Sequence, residues 1–382
     1  MERIYLDHAA TSPVHPQVVD VMISVLNQSF GNPSSIHSFG REARGLLDES
    51  RSIIAQSIGA HFNEIVFTSG GTEADNYAII GIAEAMKEKG KHIITSKIEH
   101  HAVLHTCEYL EKQGYDVTYL DVNEEGQISV QDLEAALRDD TTLVTIMFGN
   151  NEVGTIQPIK EIGQLLKNHQ AYFHTDAVQA YGVMKIDVNE LNLDLLSVSA
   201  HKINGPKGIG FLYVKTGTKL VSRIYGGEQE LKRRAGTENI GSIVGFAEAV
   251  KIAQNTMEQK QKLYQEYKQK FIDVLNSRHI DFFVNGFLDC SSLPQVLNLS
   301  FPGADVEAML VNLDLAGIAA SSGSACTAGS IKPSHVLVAM FGKDSERLRN
   351  SIRFSFGLNN SIDEIEKAAN EVAAIVGRMK KV

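Results

Sequence analysis

The chain has 382 residues, 43% of them hydrophobic, and a formal net charge of -10 at pH 7. This length permits a large core and about two domains. The negative charge disfavours direct nucleic-acid binding as the main activity. No stretch approaches the ~18 apolar residues of a membrane span. Three cysteines far apart in the chain argue against a disulfide framework. We therefore expect a cytoplasmic protein with free thiols.

Predicted strands and helices alternate from about residue 40 to residue 215. The segment "EIVFTSGG" predicts a strand and "TEADNYAIIGIAEAMKEKG" the helix after it. "HIITS" and "HHAVLHTCEYLEKQG" repeat this pattern, and further strands are predicted in "AYFHTDAV" and "LDLLSVSAHK". Such alternation indicates an α/β fold in which helices flank a mainly parallel sheet on both faces.

The pattern changes after a long helical segment at about residues 242–278. "PQVLNLSF" and "RNSIRFSFG" are typical of strands in a smaller α+β domain. We predict a large domain over residues 15–255 and a small domain formed by residues 1–14 and 256–382. The last helix is predicted to begin at a capping box of Ser361 and Glu364.

Two ionisable residues follow apolar strands, where ligands bind in folds of this kind. Lys202 lies in the glycine-containing turn of "VSAHKINGPKGIG". It is either a surface lysine or an amine that forms a Schiff base with a carbonyl cofactor. Asp176 ends the apolar strand in "FHTDAVQ". A buried carboxylate needs a cationic partner, and the ring nitrogen of pyridoxal phosphate would supply one. A helix cap or a structural ion pair is the alternative for Asp176.

Two further motifs lie at predicted strand ends. In "FTSGGTEADN", Gly71 and Thr72 begin a helix whose backbone amides favour a phosphate, although the motif is neither a Walker sequence nor a dinucleotide fingerprint. In "IEHHAVLH", His101 and His105 have helical spacing, but a metalloprotease glutamate and a third ligand are absent. We predict no metal site. His100 is better placed to stack on an aromatic ring.

The third cysteine lies in an unusual segment, "SSGSACTAGS". Cys326 is surrounded by serine, alanine and glycine, a composition typical of flexible linkers and unsuited to a core. We expect an arm that carries a thiol between two positions.

These motifs together resemble the cysteine desulfurases of the NifS/IscS type, which belong to the class-V aminotransferases among the fold-type I pyridoxal-phosphate enzymes. The resemblance covers nearly the whole chain. Its marks include "YLDHAAT", "GNPSSIH", "FTSGGTEADN", "EHHAV", "NNEVGT", "HTDAVQ", "SAHKINGPKGIG", "RAGTEN", "SSGSACTAG" and "SIRFSFG".

The resemblance implies a set of residues that bind pyridoxal 5'-phosphate. Lys202 would hold the cofactor, Asp176 would pair with the pyridine nitrogen, and Gln179 would bond the ring hydroxyl. His100 would stack on the ring. The implied phosphate contacts are Gly71, Thr72, Ser199 and His201. Thr237 of "RAGTEN" would reach the phosphate from a second subunit, so the resemblance also implies a homodimer.

The resemblance also implies how the substrate, L-cysteine, is bound and used. Asn151 and Arg353 would hold its carboxylate. Lys202 would remove the α-proton, and Cys326 would take the sulfur as a persulfide, releasing L-alanine. We expect His100 to accept the proton of the Cys326 thiol. The extended small-residue segment around Cys326 is similar to the subgroup with a long arm.

The resemblance leaves several matters open. The sulfur acceptor is expected to be an iron–sulfur scaffold protein or a tRNA-thiolating enzyme. Leu358, Asn359 and Asn360 depart from the pattern frequent in the family, which affects only the expected substrate entrance. An aminotransferase or selenocysteine lyase is the nearest alternative, but an aminotransferase has no use for a mobile thiol. An inactive scaffold protein would be expected to lack Lys202, Asp176 or Cys326.

Overall fold

The computed structural model describes residues 3–322 and 333–379. The strands in these ranges are β1 (Ile4–Tyr5), β2 (Ile65–Thr68), β3 (His92–Ser96), β4 (Asp116–Leu120), β5 (Thr141–Thr145), β6 (Tyr172–Asp176), β7 (Leu195–Ser199), β8 (Gly210–Val214), β9 (Phe283–Val284), β10 (Val296–Ser300), β11 (Ile318–Ala319) and β12 (Ser351–Ser355). The helices are α1 (Pro16–Gln28), α2 (Ser38–Gln56), α3 (Gly71–Met86), α4 (His101–Glu111), α5 (Val130–Ala136), α6 (Ile159–Leu166), α7 (Gln229–Lys232), α8 (Ile240–Ser277), α9 (Val306–Leu315), α10 (His335–Phe341) and α11 (Ile362–Met379). No helix in the described ranges is long and apolar enough to span a bilayer.

The main sheet of the described chain has seven strands in the order β2-β8-β7-β6-β5-β3-β4. Strand β8 is antiparallel to β2 and β7, whereas the other neighbours are parallel. The predicted α/β fold with a mainly parallel sheet is confirmed. Strands β3, β5, β7 and β8 are buried along their whole length, as expected for apolar and β-branched strands covered on both faces.

The strand order brings three predicted site segments to one edge of the sheet. Thr68 at the end of β2 and Ser199 at the end of β7 both pair with Gly210. Asp176 at the end of β6 pairs with Ser197 of β7. The chain segments that follow β2, β6 and β7 therefore begin side by side.

A second core lies around the antiparallel strands β9, β10 and β12. Helix α8 contributes residues of its first half to the core of the main sheet and residues of its second half to this second core. The predicted domain boundary at residue 255 falls within α8 and stays a prediction. The predicted capping box of α11 is confirmed, because Ser361 N donates to Glu364 Oε2 at 3.1 Å and Glu364 N donates to Ser361 Oγ at 3.3 Å.

A strained turn precedes the segment that carries Thr237. Glu230, Leu231 and Lys232 in α7 have φ angles of 48°, 58° and 66°, a left-handed conformation that is unfavourable for each of them. A buried ion pair holds the turn, since Arg51 Nη1 and Nη2 each lie 2.6 Å from a carboxylate oxygen of Glu230. Such a bidentate pair is strong and directional.

We expect Glu230→Ala to lower the free energy of unfolding by about 3–5 kcal/mol, because it leaves a buried guanidinium unpaired. Asp48→Ala, which breaks the exposed Arg44–Asp48 pair, is the matched control and should change it by at most about 1 kcal/mol. Urea denaturation of both variants measures the difference. Equal effects would show that the buried pair does not hold the turn.

Candidate active site

Lys202 ends a 3₁₀ turn (Ala200–Lys202) that follows β7 directly. Its Nζ donates to the carbonyl oxygens of Ala9 and Ala10, the latter at 2.8 Å. Burial and, to a smaller extent, the charge of Arg353 lower the pKa of Lys202 to about 8, although Asp176 acts in the opposite direction. Lys202 is therefore not an ordinary surface lysine, since its neutral amine is accessible near physiological pH.

Asp176 has only 7% of its surface exposed and acts electrostatically on the Lys202 amine. Its Oδ1 accepts the backbone N–H of Val178 at 2.9 Å. Burial raises the pKa of Asp176, and the charges of His100 and Lys202 oppose the rise. His174 of the same strand does not supply a cation, because burial lowers its pKa to about 3 and its nitrogens bond the hydroxyls of Thr145 and Ser197. The carboxylate therefore favours a cationic ligand in the site.

The glycine turn before α3 packs against the other two strand ends. A Cβ at Gly71 would lie 2.7 Å from Val178 Cγ2 and 3.7 Å from Ser199 Cβ, so a larger residue would push α3 away from the edge. Gly70 has φ of 152°, a conformation that favours glycine. Thr72 follows on the exposed side of the first turn. This turn therefore presents backbone N–H groups beside Ser199, an arrangement that suits an anion.

His100 is the N-cap of α4, and its Nδ1 accepts the backbone N–H of Ala102 at 3.1 Å. In this arrangement the neutral ring has its proton on Nε2, so Nε2 can donate a hydrogen bond. The predicted role of His100 as acceptor of the thiol proton stays a prediction, and it requires loss of the Ala102 bond, because Nδ1 is the accepting nitrogen of this tautomer and already accepts from Ala102. His101 and His105 stack with ring centroids 4.9 Å apart. Within the described ranges, no group of three or more metal-ligating side chains is arranged to hold a metal.

A hydrogen bond joins Arg353 to Asn151, and the charge of Arg353 acts on Lys202. Arg353 is buried in β12, and its Nη1 donates to the backbone oxygen of Asn151 at 2.9 Å. Its Nη2 forms a salt bridge of 2.8 Å with Asp7 Oδ1. The Nε of Arg353 is buried and has no hydrogen-bond partner among the described residues. Arg353 therefore has one N–H donor, at Nε, without a partner among the described residues, and its positive charge is partly balanced by Asp7.

Gln179 and His201 face the N-terminal segment. Gln179 Nε2 donates to the Ala9 carbonyl at 2.9 Å. His201 Nδ1 lies 3.1 Å from Thr11 Oγ1, and burial lowers the pKa of His201 to about 4. A neutral His201 can serve a phosphate only as a hydrogen-bond donor.

Comparison with known proteins shows the family to which the chain belongs. The family model described as "Aminotransferase class-V" matches residues 4–368. A Bacillus subtilis (strain 168) protein named "Putative cysteine desulfurase IscS 1" is 61% identical over 99% of this chain and 100% of its own length. "Cysteine desulfurase IscS" of Dictyoglomus turgidum is 46% identical over 100% of this chain and 96% of its own. The chain is a class-V aminotransferase family member of the NifS/IscS cysteine desulfurase type.

The fold of this family member is also similar to those of solved structures. A "NIFS-LIKE PROTEIN" superposes with a TM-score of 0.92 at 34% identity, over 99% of this chain and 100% of that chain. "SspA in complex with cysteine" superposes with a TM-score of 0.80 at 39% identity, over 92% of this chain and 98% of that chain. The fold and the family expected from the sequence are both confirmed.

Two of the predicted functional residues of this family member are not brought into the site by the described chain. Cys326 lies outside the described residues. Thr237 is exposed in the segment between α7 and α8, where a salt bridge of 2.8 Å joins Arg234 to Glu73 in the first turn of α3. The roles of both residues stay predictions.

Sequence reasoning did not assign several residues that shape the site. Asp7 pairs with Arg353, and the carbonyls of Ala9 and Ala10 hold Lys202. All three belong to "YLDHAAT", which marks the resemblance. Glu152 was also unassigned, although it follows Asn151 in "NNEVGT". Their membership of these two motifs was the only sign in the sequence that these residues belong to the site, because their bonding partners are remote in sequence.

The pKa of Lys202 predicts how covalent capture of an aldehyde depends on pH. Only the neutral amine attacks a carbonyl, and its fraction rises as pH rises through about 8. Apoprotein mixed with pyridoxal phosphate should therefore couple it at a rate that is half-maximal near pH 8, measured by stopped-flow absorbance and borohydride trapping. A half-maximum near the ordinary lysine value of 10.5 would contradict the buried environment.

Proposed function

We propose that this family member is a pyridoxal-phosphate-dependent cysteine desulfurase that converts L-cysteine to L-alanine and passes the sulfur to Cys326 as a persulfide. The observation that carries the proposal is the position of the Lys202 amine and the buried Asp176 carboxylate at one sheet edge. An amine of lowered pKa suits covalent chemistry on a carbonyl. A buried carboxylate suits a protonated ring nitrogen.

The residues present fit pyridoxal phosphate. Asp176 would hold the pyridine nitrogen, Lys202 the aldehyde carbon, and Gln179 the ring hydroxyl, with His100 against the ring face. The phosphate would lie on the glycine turn, where a Cβ at Gly71 would clash with Val178. The implied phosphate ligands are Gly71, Thr72, Ser199 and His201. When bound, the cofactor supplies an electron-withdrawing ring that stabilises negative charge at the substrate Cα.

The protein's own groups then bind the substrate and move its protons. The unpartnered Nε of Arg353 and the side chain of Asn151 would receive the carboxylate of L-cysteine. Lys202, whose pKa is lowered to about 8, would take the proton from Cα as a general base in its neutral form. Asp176 would keep the ring nitrogen protonated during this step. The salt bridge to Asp7 holds the Arg353 guanidinium in place.

Sulfur transfer would use the thiolate of Cys326. The thiolate attacks the substrate sulfur, an S–S bond forms, and the Cβ–S bond breaks with its electron pair remaining on carbon. Cβ then takes up a proton, so the products are L-alanine and the Cys326 persulfide. The transferred sulfur is oxidised, Cβ is reduced, and no external oxidant is required. His100 would take the thiol proton once its Nδ1 releases the hydrogen bond from Ala102 N.

The proposal includes a homodimer and an acceptor protein. Apolar side chains of α1 and the segment after it are exposed in the single chain, including Phe30 at 75% and Ile36 at 91%. A second copy would cover such a surface and would bring Thr237 to the phosphate. The acceptor would be an iron–sulfur scaffold protein or a tRNA-thiolating enzyme, with the reducing cytoplasm keeping Cys326 as a thiol.

We expect Cys326→Ser to bind pyridoxal phosphate and L-cysteine but to form no protein persulfide. Alanine production should fall by orders of magnitude, because a hydroxyl is far less nucleophilic than a thiolate. Cys107→Ala and Cys290→Ser are the controls. Burial raises the pKa of the Cys107 thiol and Cys290 is exposed, and both variants should keep the activity. Alanine and protein-bound persulfide are measured for all three.

Parental alanine production by Cys326→Ser would overturn the desulfurase proposal. It would show that the Cβ–S bond of L-cysteine breaks without transfer of the sulfur to Cys326, so the segment around Cys326 would have another purpose.

A further inference from the structure

Glu152 is a buried acid next to the predicted substrate residue Asn151, and the proposed mechanism gives it no role. Its side chain is only 3% exposed. Its Oε2 accepts a hydrogen bond of 2.5 Å from Ser334 Oγ, whose residue is 4% exposed. Both partners are shielded from water, so neither can replace the other with solvent if the bond is broken.

Ser334 uses its hydroxyl twice. The oxygen accepts the backbone N–H of Leu337 at 3.1 Å and caps α10, while the hydrogen is donated to Glu152. One side chain thus fixes the start of α10 to residue 152. In the chain, α10 follows the segment that contains Cys326.

Two further hydrogen bonds hold the backbone of Glu152. Glu152 N donates to Asn150 Oδ1 at 2.8 Å, and its carbonyl accepts from Asn298 Nδ2 at 3.0 Å. The adjacent carbonyl of Asn151 accepts from Arg353. This short loop therefore contacts the proposed carboxylate-binding arginine through Asn151 and α10 through Glu152.

A second contact joins α10 to the wall of the site. His335 Nε2 donates to the backbone oxygen of Glu99 at 2.8 Å, one residue before His100. Apolar side chains of α10 also pack against residues that flank both loops. This cluster contains Ile98, Met147, Val153, Val336, Leu337 and Met340. Helix α10 is therefore held against the two loops that carry His100 and Asn151.

We propose that Glu152 is a positioning residue for sulfur transfer. Through Ser334 it fixes the start of α10, the helix that follows the Cys326 segment in the chain, against the loop proposed to bind the substrate carboxylate. The inference rests on the proposed function, because it concerns the step in which Cys326 takes the sulfur. Glu152 itself does not touch the substrate in this account, since its carboxylate is occupied by Ser334.

The test separates cysteine binding from sulfur transfer in the holoenzyme. Rapid mixing with L-cysteine gives the dissociation constant from the early spectral change, and quenched samples give the rate of persulfide formation on Cys326. Glu152→Ala and Ser334→Ala should slow persulfide formation roughly ten-fold, about the effect of one buried hydrogen bond. The dissociation constant of L-cysteine should change by less than about two-fold, and the double variant should be no slower than the slower single variant.

Conservative variants and a matched control complete the test. Glu152→Gln keeps an acceptor and Ser334→Thr keeps the hydroxyl, so both should transfer sulfur at nearly the parental rate. Ser129→Ala removes the cap of α5, which has seven residues like α10, and should not slow transfer. If Glu152→Ala does not fold, Ser334→Ala still removes the same bond.

Two results would overturn the inference. In one, Glu152→Ala and Ser334→Ala form persulfide as fast as Ser129→Ala. In the other, binding of L-cysteine weakens by the same factor as the rate falls, which would assign Glu152 to substrate binding. Failure of the proposed function is distinguished by Cys326→Ser, whose alanine production would then be parental whatever the Glu152 variants do.

Discussion

A carboxylate buried at the end of β6 is the constraint on which this site depends. An ionised group in such a place is unfavourable unless positive charge faces it, and burial raises the pKa of Asp176 accordingly. The histidine on the same strand is held neutral by its own burial. The Lys202 amine and the His100 ring are the charges that oppose the rise. In the proposed function, a protonated pyridine nitrogen completes this balance, which links cofactor binding to the chemistry at Cα.

The N-terminal segment forms hydrogen bonds both to Lys202, at the edge of the main sheet, and to Arg353 of β12. The carbonyls of Ala9 and Ala10 receive the Lys202 amine, and Asp7 receives the Arg353 guanidinium. Ser355 Oγ, at the end of β12, accepts the backbone N–H of Ala9 at 2.8 Å. One short turn therefore connects the edge of the main sheet to the strand that carries Arg353. A shift in this turn would move the amine and the guanidinium together.

Much of the fold could be predicted because its signals are local. The alternation of apolar strands and helices predicted the mainly parallel sheet, and Ser361 and Glu364 predicted the beginning of α11. The antiparallel direction of β8 was not predicted, because a strand's direction depends on remote pairing. The apolar patterns that predicted β6 and β7 also located their ends, so Asp176 and Lys202 could be identified as candidate site residues.

The partners of those candidates could not be found from spacing. Asp7 and Arg353 lie at opposite ends of the chain, as do Ala9 and Ser355. Glu152 shows the limit most clearly, since its bond to Ser334 depends on the packing of α10 against the loop after β5. The tautomer of His100 likewise depends on the beginning of α4, which places Ala102 N–H against Nδ1.

The most direct test of the central claim is the turnover of L-cysteine by Asp176→Ala and Asp176→Glu. The account predicts that Asp176→Ala folds but loses most of its alanine production, because the ring nitrogen loses the anion that keeps it protonated. Asp176→Glu retains the charge and should recover part of the activity. Circular dichroism and the absorbance of bound pyridoxal phosphate would confirm folding and cofactor content. Near-parental turnover by Asp176→Ala would contradict the assignment of Asp176 to the cofactor ring.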